Sequence, residues 1–322
     1  MSKNEKIDSI ASNLDNLLEG CTLCPHMCRV DRKKDKKGIC RAGYLPVISS
    51  AMPHHGEEPP ISGHRGSGTI FFSYCNMKCV YCQNYQISQQ FEGSQYSIKQ
   101  LAGTMARLQN SGCHNINLVS PTIWNPQIVK AFSIAKHKGL NIPLVYNTGG
   151  YDNHNIIKML DGIIDIYMPD IRYSNDITAE KYSLVKNYVR HNRLAIKEMY
   201  RQVGDLKLDS RGVATKGMLI RLLVLPDNIG GIKKTLDFIK DELSTDIYLS
   251  IMAQYHPAYR AYEFTALSRR ITPGEYFEVV KYAEKLGFGY GWTQDHFMPD
   301  PGNDPFHPDF KRKNVFKYYD DK

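Results

Sequence analysis

The chain has 322 residues, 42% of them hydrophobic and 23% charged, with eight cysteines and a formal net charge of +8. That length can bury a large core, as one big domain or one domain with a small appendage, and the composition is that of a soluble globular protein. No run approaches the ~18 apolar residues of a membrane span, and the N-terminus lacks the apolar stretch of a signal peptide, so a cytoplasmic protein is expected.

Residues 1–65 read as a separate appendage, rich in Cys, Pro and His and without clear periodicity. Within it Cys21, Cys24, Cys28 and Cys40 follow the pattern C-x2-C-x3-C-x11-C. Four thiolates can close a metal's shell, either structural zinc or an auxiliary iron–sulfur cluster, and the spacing does not choose between them. His26 could substitute as a ligand, although a histidine beside ligands is more often a neighbour. A segment without a core of its own would be organised by such a metal, which gives it a structural role; the alternative is an electron relay. Reduced thiols of the cytosol are more readily metal ligands than disulfides. The basic run at 32–37 reads as a solvated loop, as does 311–313, which leaves nucleic-acid binding a minority reading.

From Gly68 onward, apolar and β-branched runs alternate with amphipathic stretches. Strands are predicted at 69–73, 116–120, 143–147, 163–168, 218–225 and 247–252, and helical patterns at 98–109, 126–137, 153–160, 179–203, 231–243 and 273–286. Six βα units make an α/β fold, an open, partial (β/α)6 version of the TIM-type barrel, spanning 66–290. Residues 291–322 form an aromatic, Asp/Pro-rich tail expected to pack on the barrel. Cys113, just before the second strand, is expected to be a buried apolar residue.

Such barrels place their sites at the C-terminal ends of the strands. There lie the run Cys75–Cys82, Ser120-Pro121-Thr122, Asn147-Thr148-Gly149-Gly150, Pro169-Asp170-Ile171-Arg172 and Tyr255-His256-Pro257. Cys75, Cys79 and Cys82, spaced C-x3-C-x2-C, offer a 4Fe-4S cluster three thiolates and so keep one iron open. An open coordination position points to catalysis. The alternative, a structural zinc knuckle, normally has four ligands, and no fourth candidate stands nearby in the sequence.

With Tyr81 as the aromatic, the motif resembles the C-x3-C-x-aromatic-C signature of the radical S-adenosylmethionine (SAM) enzymes. The resemblance implies that SAM chelates the open iron and is cleaved by an electron from the cluster. A 5′-deoxyadenosyl radical then abstracts hydrogen from a substrate. From about Gly66 to His256 the chain is most similar to the activating enzymes of glycyl radical enzymes, such as pyruvate formate-lyase activating enzyme. The cluster loop, through Tyr81, Gln83 and Asn84, matches theirs.

Ser120, Pro121 and Thr122 stand where those activases carry a Gly-Gly-Glu element that binds the SAM amino group, and carbonyls with the Thr122 hydroxyl can accept ammonium protons. Asn147 and Thr148, with Met168 and Asp170, occupy the positions of a monovalent-cation site beside the SAM carboxylate, with Asn147 replacing an aspartate and removing one charge. Arg172 takes the place of a lysine facing SAM and substrate, where a guanidinium suits a carboxylate; otherwise it is a surface arginine paired with Asp170 or Asp176. His256 matches a histidine that meets the SAM ribose.

An activase Asp-Gly-Pro-Gly turn is replaced by 54–60, His-His-Gly-Glu-Glu-Pro-Pro. The missing aspartate departs from the glycyl-radical pattern. His54, His55, Glu57 and Glu58 are either substrate contacts and acid/base groups or a polar connecting loop. The resemblance implies an oxidoreductase acting on a protein or peptide and reduced by a donor such as flavodoxin or ferredoxin. A modifier of a small molecule or RNA, and a non-catalytic zinc scaffold, are the alternatives.

Overall fold

The computed structural model describes residues 3–294 together with Pro308, Phe310 and Lys311. Its strands are β1 (Val47–His54), β2 (Ser67–Phe72), β3 (Ser94–Gln95), β4 (Ile116–Val119), β5 (Leu144–Thr148), β6 (Ile166–Pro169), β7 (Lys207–Leu208), β8 (Ala214–Leu223), β9 (Tyr248–Met252) and β10 (Gly291–Thr293). The helices are α1 (Lys3–Asn16), α2 (Pro59–Ser62), α3 (Tyr85–Ser88), α4 (Ile98–Asn110), α5 (Asn125–His137), α6 (His154–Met159), α7 (Asp176–Ser183), α8 (Tyr188–Val203), α9 (Ile232–Glu242) and α10 (Pro273–Leu286).

Strands β2, β4, β5, β6, β8, β9 and β10 lie side by side in chain order and all run parallel. This is the partial barrel that the alternating pattern predicts. Strands β2, β4, β5 and β6 are buried along their whole length, because helices cover one face and the lumen the other. Helix starts follow local chemistry. Ser97 and Gln100 close a capping box on α4, Thr272 and Glu275 close another on α10, and Asn153 and Asn175 cap α6 and α7.

Several features depart from the sequence reading. Segment 1–65 carries the helix α1, whose Ile7, Ala11 and Leu14 form a buried stripe. It also carries β1, which pairs antiparallel with β2 from Ile48↔Phe72 to His54↔Ser67 and so extends the barrel sheet. The predicted helix at 179–203 is two helices, because Leu184 and Asn187 both adopt left-handed φ of 52° and a right-handed helix cannot pass through them.

In the basic run, Arg32 is not solvated. It is 1% exposed, with its guanidinium donating to the Gly43 carbonyl (2.7 and 3.0 Å) and the Ile123 carbonyl (2.7 Å) while lying over the Trp124 ring. It thereby pins the Cys-rich segment to the barrel. Cys113 is buried. Of the tail, Gly291–Thr293 joins the sheet as β10 and the Phe310 ring meets Phe71 edge-on at 5.3 Å; the remainder of 291–322, apart from Gln294, Pro308 and Lys311, lies outside the described residues.

Candidate active site

The loop that follows β2 is fastened on both sides. Tyr74 turns it with a left-handed φ of 67°, and its ring stacks on Phe91 at 4.5 Å. Trp124 Nε1 donates to the Ser73 carbonyl at 2.9 Å. Further along, Lys78 N and Val80 N donate to the Ser183 and Tyr182 carbonyls, each at 2.9 Å, which ties the loop to the end of α7.

This bracing gathers Cys75, Cys79 and Cys82 into one space. Burial pushes the Cys82 thiol up to about 12, with Cys79 and Cys75 adding to it; burial also raises Cys75, with Cys79 alongside. Thiols crowded together in this way keep their protons until a cationic metal compensates them, so the donor set fits an iron–sulfur cluster. Every sulfur also meets a hydrogen-bonding group: Met77 N donates to Cys75 Sγ at 3.4 Å, Ser88 Oγ lies 3.2 Å from Cys82 Sγ, and Ser183 Oγ donates to Cys79 Sγ at 3.0 Å. Behind Ser183 stands a chain, with Tyr81 hydroxyl to Tyr173 hydroxyl at 2.6 Å and Tyr173 hydroxyl to Ser183 Oγ at 2.6 Å. Tyr81 is thus buried against the cluster loop rather than open to the lumen.

The other four cysteines converge separately. Burial raises the Cys24 thiol first, then Cys40, and after them Cys21 and Cys28, which lie near enough to act on it. His26 turns away from them. Its Nε2 lies 2.7 Å from the carbonyl of Asn76, the residue after Cys75, and its ring meets Tyr151 at 5.2 Å. His26 and Asn76 therefore join the two cysteine groups. Among the described residues no three His, Cys, Asp or Glu side chains close around a single ion; ligands of a cluster stand farther apart, with iron and sulfide between them.

The strand-end residues divide into two sets. Ser120 takes a left-handed φ of 61°, a strained turn that redirects the chain at the end of β4. Thr122 and Thr148 face the interior instead of a ligand: their hydroxyls donate to Asp152 Oδ1 and Oδ2, each at 2.7 Å, and Tyr146 hydroxyl donates to Oδ1 at 3.0 Å. Burial raises the Asp152 carboxyl against these three donors. The Thr122 hydroxyl expected to meet an ammonium spends its hydrogen on Asp152 and faces this cluster, and the Pro121 carbonyl accepts from Trp124 N at 2.7 Å, which leaves the Ser120 carbonyl of the turn.

Asn147 and Asp170 do share a site, but an arginine of the chain already bridges them. Arg221, on β8, donates from Nε to Asp170 Oδ1 at 2.9 Å and from Nη2 to Asn147 Oδ1 at 2.7 Å. Arg172 Nη2 takes Asp170 Oδ2 at 2.5 Å. The oxygens assigned by resemblance to a monovalent cation thus already have two guanidinium partners, and the set does not fit a further cation. Gly150, at φ 78°, lets the Asp170 backbone and the Asn192 amide pack close, since a Cβ there would sit 2.2 Å from the Asp170 carbonyl oxygen. Arg172 keeps a buried Nε with no hydrogen-bond partner among the described residues, and its charge lies near enough to pull the Cys75 and Cys82 thiols down against their burial. His256 is 3% exposed with Nδ1 3.2 Å from Gln83 Nε2, which ties it to the cluster loop.

A cavity of about 420 Å³ occupies the lumen, running from Gln83 and Asn84 past Asn147 and Arg221 to Glu57 and Glu58. Its floor is the connection between β1 and β2. Pro59 and Pro60 start α2, and Ile61 packs with Val145, Ile166 and Leu219 to plug the lower barrel. The segment at 54–60 is therefore a stopper inside the barrel, carrying two glutamates into it. Burial pushes the Glu57 carboxyl up to about 7 against the opposing pull of Arg221, and burial, with His55 nearby, lowers His54 to about 4.

Sequence reasoning left Glu57 and Glu58 open and missed Arg221, Tyr173 and Ser183. Arg221 had a signal, a lone charge inside the apolar strand run 218–225. Ser183 and Tyr173 had none.

Among known proteins, the chain is 30% identical over 283 residues to the uncharacterized protein MJ0674 of Methanocaldococcus jannaschii, covering 84% of this chain and 76% of that one. It is 22% identical to MJ0808 of the same organism, covering 90% and 84%. Among solved structures it is similar to HydG, a maturase of the FeFe-hydrogenase, with a TM-score of 0.47 and 13% identity over 90% of this chain. This chain spans 63% of HydG's length. Methylornithine synthase PylB gives a TM-score of 0.43 and 12% identity, covering 89% and 70%. Residues 69–239, from the first barrel strand through most of α9, match the model of the radical SAM superfamily, and the chain belongs to that superfamily.

Proposed function

We propose that the chain reductively cleaves SAM at a 4Fe-4S cluster held by Cys75, Cys79 and Cys82, and abstracts hydrogen from a substrate held in the lumen. One observation carries this reading: three thiols close enough to raise one another's hold on protons sit on the C-terminal rim, beside a cavity that begins at Gln83 and Asn84 of their own loop. Cluster and SAM, when bound, supply the electron and the radical. The protein holds and orients them. Arg172 Nε is a donor without a partner among the described residues and would serve the SAM carboxylate, the Ser120 carbonyl would accept from its ammonium, and Asn84, two residues after Cys82, lines the cavity. A flavodoxin or ferredoxin would supply the electron.

For the substrate, resemblance of the cluster loop favours a protein or peptide, as for the glycyl radical activases. The cavity supports a second reading, a small molecule, because its volume lies within the ~300–1,000 Å³ of small-ligand pockets and its floor is plugged. Anaerobically reconstituted, reduced protein should convert SAM to 5′-deoxyadenosine and methionine. Protein that takes up iron and sulfide at these cysteines but leaves SAM intact would overturn the reading. Complex formation with a glycyl radical enzyme supports the activase branch; deoxyadenosine formation that rises with an added metabolite fraction supports the small-molecule branch.

A further inference from the structure

The plugged floor holds a polar imbalance that the cluster chemistry does not use. Glu57 and Glu58 both line the cavity, and each side chain is 8% exposed. Glu57 is engaged: Asn117 Nδ2 donates to its Oε1 at 2.8 Å, and Arg221 Nη1 lies 3.7 Å from its Oε2. Glu58 is not. Its Oε1 stands 4.0 Å from Arg221 Nε, which spends its hydrogen on Asp170, and its Oε2 is buried with no hydrogen-bond partner among the described residues. Asn117 Oδ1, on the amide that holds Glu57, is likewise buried and unpartnered.

A buried carboxylate oxygen without a donor is costly, and such exceptions call for a missing partner. Charge points the same way. Three carboxylates, Glu57, Glu58 and Asp170, meet two guanidiniums, Arg172 and Arg221, in and beside this cavity. His54 and His55 also line the cavity; with Glu57 ionised and both imidazoles uncharged, one negative charge is left over. A ligand that brings N–H donors and a positive charge answers both deficits, whereas a carboxylate or phosphate would add to the excess and an ether or carbonyl would supply no donor.

We propose that the lumen floor recognises an amine, with a primary ammonium group of the substrate pairing with the Glu58 carboxylate at the bottom of the cavity. The assignment rests on the reading of the lumen as the substrate chamber. The amine belongs either to a small molecule or to a lysyl side chain inserted from a peptide, since both present the same three-donor cation. Arg221 fixes the neighbouring carboxylates and leaves Glu58 as the acceptor that faces the incoming group.

The test uses full-length, cluster-reconstituted protein at about pH 8, where Glu57 is ionised, with ligand binding followed by saturation-transfer NMR. The probes are n-butylammonium, an N-acetyl-lysine N-methylamide, n-butanol and butyrate. We expect one or both ammonium probes to bind, at least tenfold more tightly than n-butanol or butyrate, and E58Q to weaken that binding at least tenfold. Preference for the lysine amide over butylammonium would identify a peptide side chain, and the reverse a free amine. Equal binding of n-butanol and butylammonium by the unaltered protein would overturn the assignment even if E58Q failed to fold, as would unchanged affinity in a folded E58Q. SAM cleavage by the same wild-type preparation reads the proposed function separately. Ammonium binding without cleavage would sink that reading and leave the amine site standing, and cleavage without ammonium preference would do the opposite.

Discussion

Replacing Glu57 by Gln should flatten the pH dependence of folding stability. Glu57 faces Glu58 from its own loop, Arg221 from β8, Asp170 after β6 and the Asn117 amide from β4. Burial outweighs Arg221 and moves its carboxyl from 4.5 to about 7. A carboxyl raised in the folded state binds its proton more tightly there than in the unfolded chain. Ionising it therefore costs stability, which falls as pH rises from about 4.5 to about 7 and stays reduced above that. At 1.36 kcal/mol per pH unit the full displacement amounts to roughly 3 kcal/mol, of which roughly 2–3 kcal/mol develops between about pH 5 and about pH 8. Glutamine does not titrate. The unfolding free energy of E57Q relative to wild type should therefore shift in the variant's favour by that amount across this interval, whatever its offset at the acidic end. Urea denaturation followed by circular dichroism at several pH values, at fixed ionic strength and without oxygen, measures the shift. Parallel profiles for the two proteins, or divergence of the opposite sign, would refute the burial argument.

Two further changes probe the cluster loop and the appendage. Ser183→Ala removes the last donor of the Tyr81–Tyr173–Ser183 chain from Cys79 Sγ; because a donor favours the more negative, reduced state, losing about 1 kcal/mol of it should lower the cluster's reduction potential by roughly 40 mV. An EPR-monitored redox titration checks this, and an unchanged or raised potential would contradict it. Arg32→Met should destabilise the protein by roughly 1.5–3 kcal/mol or more, since it deprives the Gly43 and Ile123 carbonyls of charged donors. Thermal melts of wild type and variant decide it, and a loss under about 0.5 kcal/mol would mean that water replaces the guanidinium.

The barrel was legible because its strands are short apolar runs punctuated by turns, and because every candidate motif fell just after one. Strand β1 was hidden for the converse reason: with Ser49, Ser50 and Pro53 among its eight residues, it reads as loop until β2 gives it a partner. The break between α7 and α8 turns on Leu184 and Asn187, and leucine carries no signal for a left-handed backbone. Arg32 sits in a run of charges whose other members are mainly exposed, and only the carbonyls of Gly43 and Ile123 distinguish it.

At the site, spacing revealed the three cysteines because cluster ligands are local in sequence. The rest is contact between distant segments. Thr122 and Thr148 are drawn to Asp152, Arg221 reaches Asp170 and Asn147 across the sheet, and the stopper at 54–60 enters from the opposite end of the barrel. A resemblance carried over position by position placed a cation where this chain supplies a guanidinium of its own.

The central claim is a cluster held by three sulfurs with one iron left for SAM. Mössbauer spectra of anaerobically reconstituted protein carrying isotopically labelled iron, recorded with and without SAM, test it most directly, with Cys75→Ala identifying the signal that belongs to the barrel. The account predicts one iron distinct from the other three, whose parameters change when SAM is added and whose signal is lost in the variant. Four equivalent, fully thiolate-ligated irons that ignore SAM would contradict it.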